Sequence, residues 1–203
     1  MSRKKGKLYV ITGPSGAGKG MICRELLKDF NNEFSVSMTT REPRKGEVHG
    51  REYYFVTEEE FLRSVDEDNF LEHAKVYDHY YGTPKDMVTK QLERGHNVIL
   101  DIDTQGGLQV KKSMPESILI FVLPPSLAVL RERLEGRATD SQEVIEKRLS
   151  KAADEIKLIG EYDYYVVNNE REETVSRVKS IMTAEESKVP DKVKDIIKNY
   201  EHE

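Results

Sequence analysis

The stretch LYVITGPSGAGKGMICRELLKDF, residues 8–30, constrains this chain more than any other part of it. LYVIT is apolar and β-branched without alternation, as in a strand covered on both faces. MICRELLKDF then places Ile22, Leu26, Leu27 and Phe30 on one face of a helix. Between them lies G-x-x-x-x-G-K, a spacing that has a mechanism when a strand precedes it and a helix follows. Glycines let successive main-chain N–H groups turn inward onto phosphate oxygens. The helix N-terminus adds the positive end of its dipole, and a lysine supplies a mobile charge for terminal phosphates. A merely flexible turn needs neither the lysine nor the helix. The loop assigned to phosphate is Gly13, Pro14, Ser15, Gly16, Ala17, Gly18 and Lys19, with Gly20 and Met21 opening the helix. Neither Gly20 nor Met21 offers a hydroxyl to Mg²⁺, so that ion has to be held by nucleotide oxygens, water and a carboxylate.

Two further runs, NVILDID (97–103) and SILIFVL (117–123), read as buried parallel strands, and DYYVVNN (163–169) as a weaker fourth. Helical patterns separate them, one of them ending at Gly95. The alternation predicts an α/β fold with a mainly parallel sheet flanked by helices. Asp101 and Asp103 end the second strand on one face, at the mouth where such sheets bind ligands. Two stretches interrupt the alternation. Residues 35–83 are rich in Arg, Glu, Tyr and Gly, and REYYFV fits an exposed antiparallel strand; residues 126–159 are helical and charged. The expected division is a core of 1–34, 84–125 and 160–203, an insertion of 35–83 and a lid of 126–159. Beyond it the end of the chain reads as a polar helical tail, interrupted by Pro190, that packs or frays.

With 32 Lys and Arg against 37 Asp and Glu, the net charge of −5 gives no global field for nucleic acid or an anionic membrane. Any anion must be met by a local cluster. Arg41 and Arg44 stand three apart with Pro43 stiffening the turn, and Tyr53 follows a glycine-punctuated hairpin; this is either a phosphate monoester cradle or a solvated basic loop. The charged helices of 126–159 hold i,i+4 pairs such as Glu143 with Lys147, the pattern of a solvated face. A single cysteine, Cys23, excludes an intramolecular disulfide and a cysteine-based zinc site, and reads as a small buried hydrophobe. LYVIT is too short for a signal-peptide core or a membrane span, so a soluble, cytoplasmic protein is expected.

Five ordered blocks after GPSGAGKG carry a resemblance: FSVSMTTREPRKGEVHGREYYFV, NFLEHA, YYGTP, ILDIDTQG and LEGRATDSQEVIEKRL. Together they resemble guanylate kinase from about Gly6 to Arg177. The resemblance implies a P-loop NTPase core with a GMP-binding insertion and a helical lid. It implies phosphoryl transfer from ATP to GMP within purine nucleotide metabolism, with Mg²⁺ as cofactor and dGMP left open as an acceptor. By it, Arg41, Arg44, Tyr53 and Tyr81 hold the GMP phosphate, while Ser37, Glu72, Thr83 and Asp103 read guanine. Lys19, the loop amides, Asn168 and Asp101 belong to the Mg-ATP side, Asp101 meeting the metal through water. Arg133, Arg137 and Arg148 come from the lid to the transferring phosphate and the adenine end. Taken without the family, Glu72 reads as an ordinary surface acid. The chain departs from the family at Ala138 and Asn169 as well as at Gly20-Met21. An oligomer is compatible with the pattern. A guanylate-kinase-like binding module with weak catalysis, and a kinase for another nucleoside monophosphate, stay open as alternatives.

Overall fold

The computed structural model describes residues 4–136, 141–189, 193 and 197. Arg137, Ala138 and most of the tail beyond Val189, Pro190 included, lie outside them. Strand β1 (Leu8–Thr12) is buried along its whole length and leads through the glycine loop into helix α1 (Lys19–Leu26). Its side chains divide by the period of two: Tyr9 and Ile11 pack with Ile22 and Leu26 of α1, whereas Leu8 and Val10 join a second cluster on the opposite face. Burying a large apolar side chain is worth about 1.5–3 kcal/mol, so the two clusters fix β1 at the centre.

α1 is shorter than its apolar pattern predicts. The side chain of Asn32 donates to the Leu26 carbonyl at 2.8 Å, and the chain turns away into β2 (Asn32–Phe34). Phe30 is therefore 92% exposed and packs on nothing in the core, contrary to its place in the helical pattern.

The next segment builds a second sheet from β3 (Met38–Thr39), β4 (Tyr54–Phe55), β5 (Phe70–Val76) and β6 (His79–Pro84), in the order β4-β3-β6-β5. β6 runs antiparallel to both β3 and β5, but β4 lies parallel to β3, with Met38 opposite Tyr54. REYYFV is thus not an antiparallel strand, and no hairpin precedes it. Helix α2 (Glu58–Asp66) starts at a Thr57–Glu60 capping box and buries Phe61 against Phe70 and Tyr80.

Helix α3 (Lys85–Glu93) returns the chain to the first sheet at β7 (Asn97–Asp101), followed by α4 (Thr104–Ser113) and β8 (Ile118–Leu123). Then come α5 (Leu127–Glu135), α6 (Gln142–Ile156), β9 (Tyr164–Val167) and α7 (Arg171–Ser187). The first sheet has the order β2-β7-β1-β8-β9, with every pairing parallel. Helices α5 and α6 carry an apolar cluster of their own, Leu130, Leu134, Ile145, Leu149 and Ala152, and the expected Glu143–Lys147 pair is made at 2.8 Å. The small sheet is tied to the core where Leu71 enters the cluster of Leu8 and Val10, and where the His73 amide donates to Gln109 of α4.

Candidate active site

Two glycines of the loop are required by its geometry. Gly13 has φ +136° and approaches Val122 so closely that a Cβ would lie 2.3 Å from the carbonyl oxygen; Gly18 has φ +97°, and its Cβ would lie 2.1 Å from Asn168 Nδ2. The loop is closed by the Ala17 amide donating to Pro14 O at 3.0 Å. Lys19 Nζ donates to Gly13 O at 2.7 Å and Pro14 O at 3.3 Å. Burial lowers the Lys19 pKa, and Asp101 and Glu155 counter that effect. Burial raises the pKa of Asp101 in turn, with Lys19 opposing.

A cavity of about 290 Å³ opens over the C-terminal ends of β1 and β7, lined by Gly13, Ser15, Lys19, Asp101, Asp103 and Arg148, with Lys151 and Glu155 behind them. Arg148 of α6 reaches down to donate to Ser15 Oγ at 3.4 Å, so the helical segment touches the loop directly. A larger hollow of about 710 Å³ runs along α7 beside Glu25 and contains none of these groups; chemistry, not size, identifies the site.

Asn168 does not project into that cavity. It is 5% exposed, its Nδ2 donates to Ala17 O at 2.7 Å, and its carbonyl accepts from Arg133 Nη2 at 2.8 Å. Its side chain braces the loop from behind through that bond to Ala17. Arg133 Nη1 is buried without a hydrogen-bond partner among the described residues, a donor suited to an incoming anion.

Asp103 also departs from expectation. β7 ends at Asp101, and Asp103 is the N-cap of α4, accepting from the Gly106 amide at 2.8 Å. Although it is not a strand residue, it still reaches the site, where its charge acts on Glu72. Glu72 of β5 is buried, and Thr83 Oγ1 of β6 donates to its Oε1 at 2.6 Å. Burial raises the Glu72 pKa, against the bond from Thr83. Ser37 is half-buried just before β3, where Met38 pairs with Gly82 beside Thr83.

The arginine segment adjoins Tyr81, which the period of two sets on the same face of β6 as Thr83. Arg41 lies over the rings of Tyr53 and Phe55, at 5.6 and 5.8 Å from their centroids. Tyr53 and Tyr81 meet edge to face at 5.9 Å. The side chain of Arg44 is exposed. Three residues, one in this segment and two on α6, escaped the sequence reading. Glu47 binds Arg41 and was signalled by R-x-x-R-x-x-E; Lys151 and Glu155 share a face of α6 with Arg148 at i+3 and i+7.

Among the described residues no cluster of three or more His, Cys, Asp or Glu forms a metal cage. Asp101 is a hard oxygen donor beside Lys19, and an ideal Cβ on Gly20 would lie 3.5 Å from its Oδ2, so the first turn of α1 and this carboxylate adjoin. That set fits Mg²⁺ only as a partner to nucleotide oxygens and water. No described helix is long and apolar enough to cross a membrane.

The sequence profile of the guanylate kinase family matches residues 5–185. Guanylate kinase of Caldanaerobacter subterraneus subsp. tengcongensis is 50% identical over 195 residues, covering 96% of this chain and 94% of that one. Guanylate kinase of Clostridium tetani is 49% identical over 194 residues, covering 96% and 93%. The crystal structure of guanylate kinase from Anaplasma phagocytophilum superposes with a TM-score of 0.71 at 36% identity, covering 93% of this chain and 90% of that one.

Proposed function

The chain belongs to the guanylate kinase family, and on that premise we propose that it transfers the terminal phosphoryl group of ATP reversibly to GMP, giving ADP and GDP, in the cytoplasm. The observation that carries the reading is the pair Asp101 and Asp103. Two positions apart, at and just beyond the end of β7, both line the cavity with Gly13 and Lys19, and Asp103 also adjoins the purine side: a Cβ on Gly106 would lie 3.4 Å from Asp103 Oδ1 and 3.2 Å from Glu72 Oε2. Donor and acceptor sites thus meet at one point of the parallel sheet, the place where such folds collect ligands.

The ATP phosphates lie on the amides of residues 13–19, with Lys19 exchanging its carbonyl partners for phosphate oxygens. Asp101 would help to hold the Mg²⁺ that accompanies the nucleotide, and the ion would supply neutralisation of phosphate charge there. GMP sets its phosphate between Arg41, Arg44, Tyr53 and Tyr81. Its N1–H and 2-amino donors face the Glu72 carboxyl group, which accepts from them alongside the Thr83 hydroxyl. Ser37, Thr83 and Asp103 complete the purine pocket. Arg133, Arg137 and Arg148 bring positive charge to the phosphoryl group in flight, which asks for alignment and neutralisation more than for a base. Residues 35–83 and 126–159 act as the acceptor-binding insertion and the lid, closing to exclude water.

A coupled assay with ATP, Mg²⁺ and each of GMP, dGMP and AMP tests this. Turnover with GMP far above AMP, and slow ATP hydrolysis without acceptor, is the expected pattern. Rapid hydrolysis independent of GMP, or equal use of AMP, refutes it.

A further inference from the structure

We propose that Glu47 is a positioning residue of the acceptor-phosphate site, holding the Arg41 guanidinium in place and tying it to the main chain of Arg44. The inference rests on the reading of Arg41 and Arg44 as the pair that receives the GMP phosphate. Arg41 Nη2 donates to both Glu47 oxygens at 3.0 Å, and the Arg44 amide donates to Oε2 at 2.8 Å. The Glu47 amide returns a bond to Arg44 O at 3.0 Å, closing a turn that Gly46 permits with φ +93°. Backbone and side chain of Glu47 are both fastened to residue 44, so the carboxylate moves only with the turn.

Arg41 is constrained on its remaining sides as well. Nη1 donates to Glu42 O at 2.7 Å, and the guanidinium lies over Tyr53 and Phe55. The side chains of Arg41 and Glu47 are 12% and 19% exposed, unlike the solvated ion pairs that contribute little. The Arg44 amide, with Arg41, holds the Glu47 carboxyl below the usual carboxylate range, so it is ionised at neutral pH. A long side chain fixed before the ligand arrives loses less rotamer freedom on gripping it. The opposite role is a carboxylate that stands in for phosphate and must leave. It conflicts with the turn, because departure would break the Arg44 bond as well.

Glu47→Gln keeps size and an acceptor for the Arg44 amide while removing the charge. With GMP varied at saturating Mg-ATP, its KM for GMP rises about tenfold, the scale of one charge-assisted hydrogen bond. The KM for ATP stays within about twofold. In an Arg41→Lys background the same change has about a twofold effect or less, since Glu47 acts through that guanidinium. Glu47→Asp, which keeps the charge one methylene short, gives an intermediate KM and serves if the glutamine variant does not fold. An unchanged KM for GMP in a folded variant overturns the proposal, leaving Glu47 a staple of the turn. A lowered KM overturns it in favour of the phosphate stand-in. Arg44→Ala separates the layers: if it leaves the KM for GMP unchanged, the phosphate-site reading falls and takes this inference with it. If it raises that KM while Glu47→Gln does not, only the positioning role falls.

Discussion

Replacing Glu72 by glutamine removes one charge from the purine pocket and almost no volume. In the parent, Oε1 accepts from Thr83 Oγ1 at 2.6 Å, and Oε2 has no hydrogen-bond partner among the described residues. Under the proposed assignment, guanine donors complete both oxygens. Glutamine has one acceptor. If it stays with Thr83, an NH₂ faces the guanine N–H groups; if it turns to guanine, the Thr83 hydroxyl loses its acceptor in a buried place. Either way one charge-assisted bond, about 1.5–3 kcal/mol, is lost and a buried polar group is left mismatched. A total of about 3 kcal/mol corresponds to roughly 150-fold in kcat/KM for GMP. ATP parameters change less than about twofold, and AMP gains nothing comparable. Stability moves the other way. Burial raises the Glu72 pKa, so ionisation destabilises the unliganded fold. That penalty is absent below the unfolded carboxylate pKa, about 4.3, and complete above the folded-state value. The variant therefore melts higher than the parent at pH 8, and the gap closes as the pH approaches 4. Steady-state assays with GMP and AMP, alongside thermal melts at both pH values, read all of this. A variant that keeps kcat/KM for GMP within about threefold removes Glu72 from base recognition.

Gly18→Ala forces a Cβ into left-handed backbone and onto Asn168 Nδ2, and is expected to cost about 2–3 kcal/mol and to weaken binding of a non-hydrolysable ATP analogue more than tenfold. Calorimetric titration returning parental affinity would show that the Asn168 brace does not shape the loop. Gly20→Ser adds a hydroxyl in ordinary contact range of Asp101, and should lower the Mg²⁺ concentration needed for half-maximal rate without lowering the melting temperature; a loss of stability would contradict the space seen there. Burial, with Asp101 adding to it, pushes the Cys23 thiol up to about 12. The native protein should therefore stay unlabelled by Ellman's reagent at pH 8 and react once unfolded, and rapid native labelling would refute that burial.

What could be read ahead of the structure depended on whether a residue's place is decided locally. The runs of β1, β7 and β8 are apolar over most of their length, and a strand covered on both faces needs little more to announce itself; β9, at the sheet edge with Tyr165 and Val167 exposed, announces itself less. The loop was equally plain, because its glycines answer to backbone angles and close approaches within one unit. The alternation of DID reads Asp103 as a strand residue, yet Thr104-Gln105-Gly106 after it is the start of a helix, and the Asp103–Gly106 cap ends the strand two residues earlier. β3 and β4 are two residues each and pair in parallel across a long connection, so neither period nor turn chemistry could disclose them. Glu72 shows the limit best. In its own segment it looks like a surface acid, and only the pairing of β5 with β6 sets Thr83 opposite it and buries both.

Under the proposed assignment, the same pairing logic explains how a chain of net charge −5 gathers cations for two anionic substrates. Lys19 is held by loop carbonyls, Arg41 by Glu47, Arg133 by the Asn168 carbonyl, and Arg148 reaches Ser15. Asp101 and Glu155 act on Lys19 from across the cavity. Each of these groups is therefore positioned before any ligand arrives, and Lys19 and Arg41 are partly neutralised by the acids that face them. A basic groove would draw nucleotides from further away, but it would also draw nucleic acid. Local partners instead confine the attraction to a ligand whose phosphates reach the individual amides and guanidinium edges, which is what a small-molecule kinase needs and a polyanion cannot readily supply.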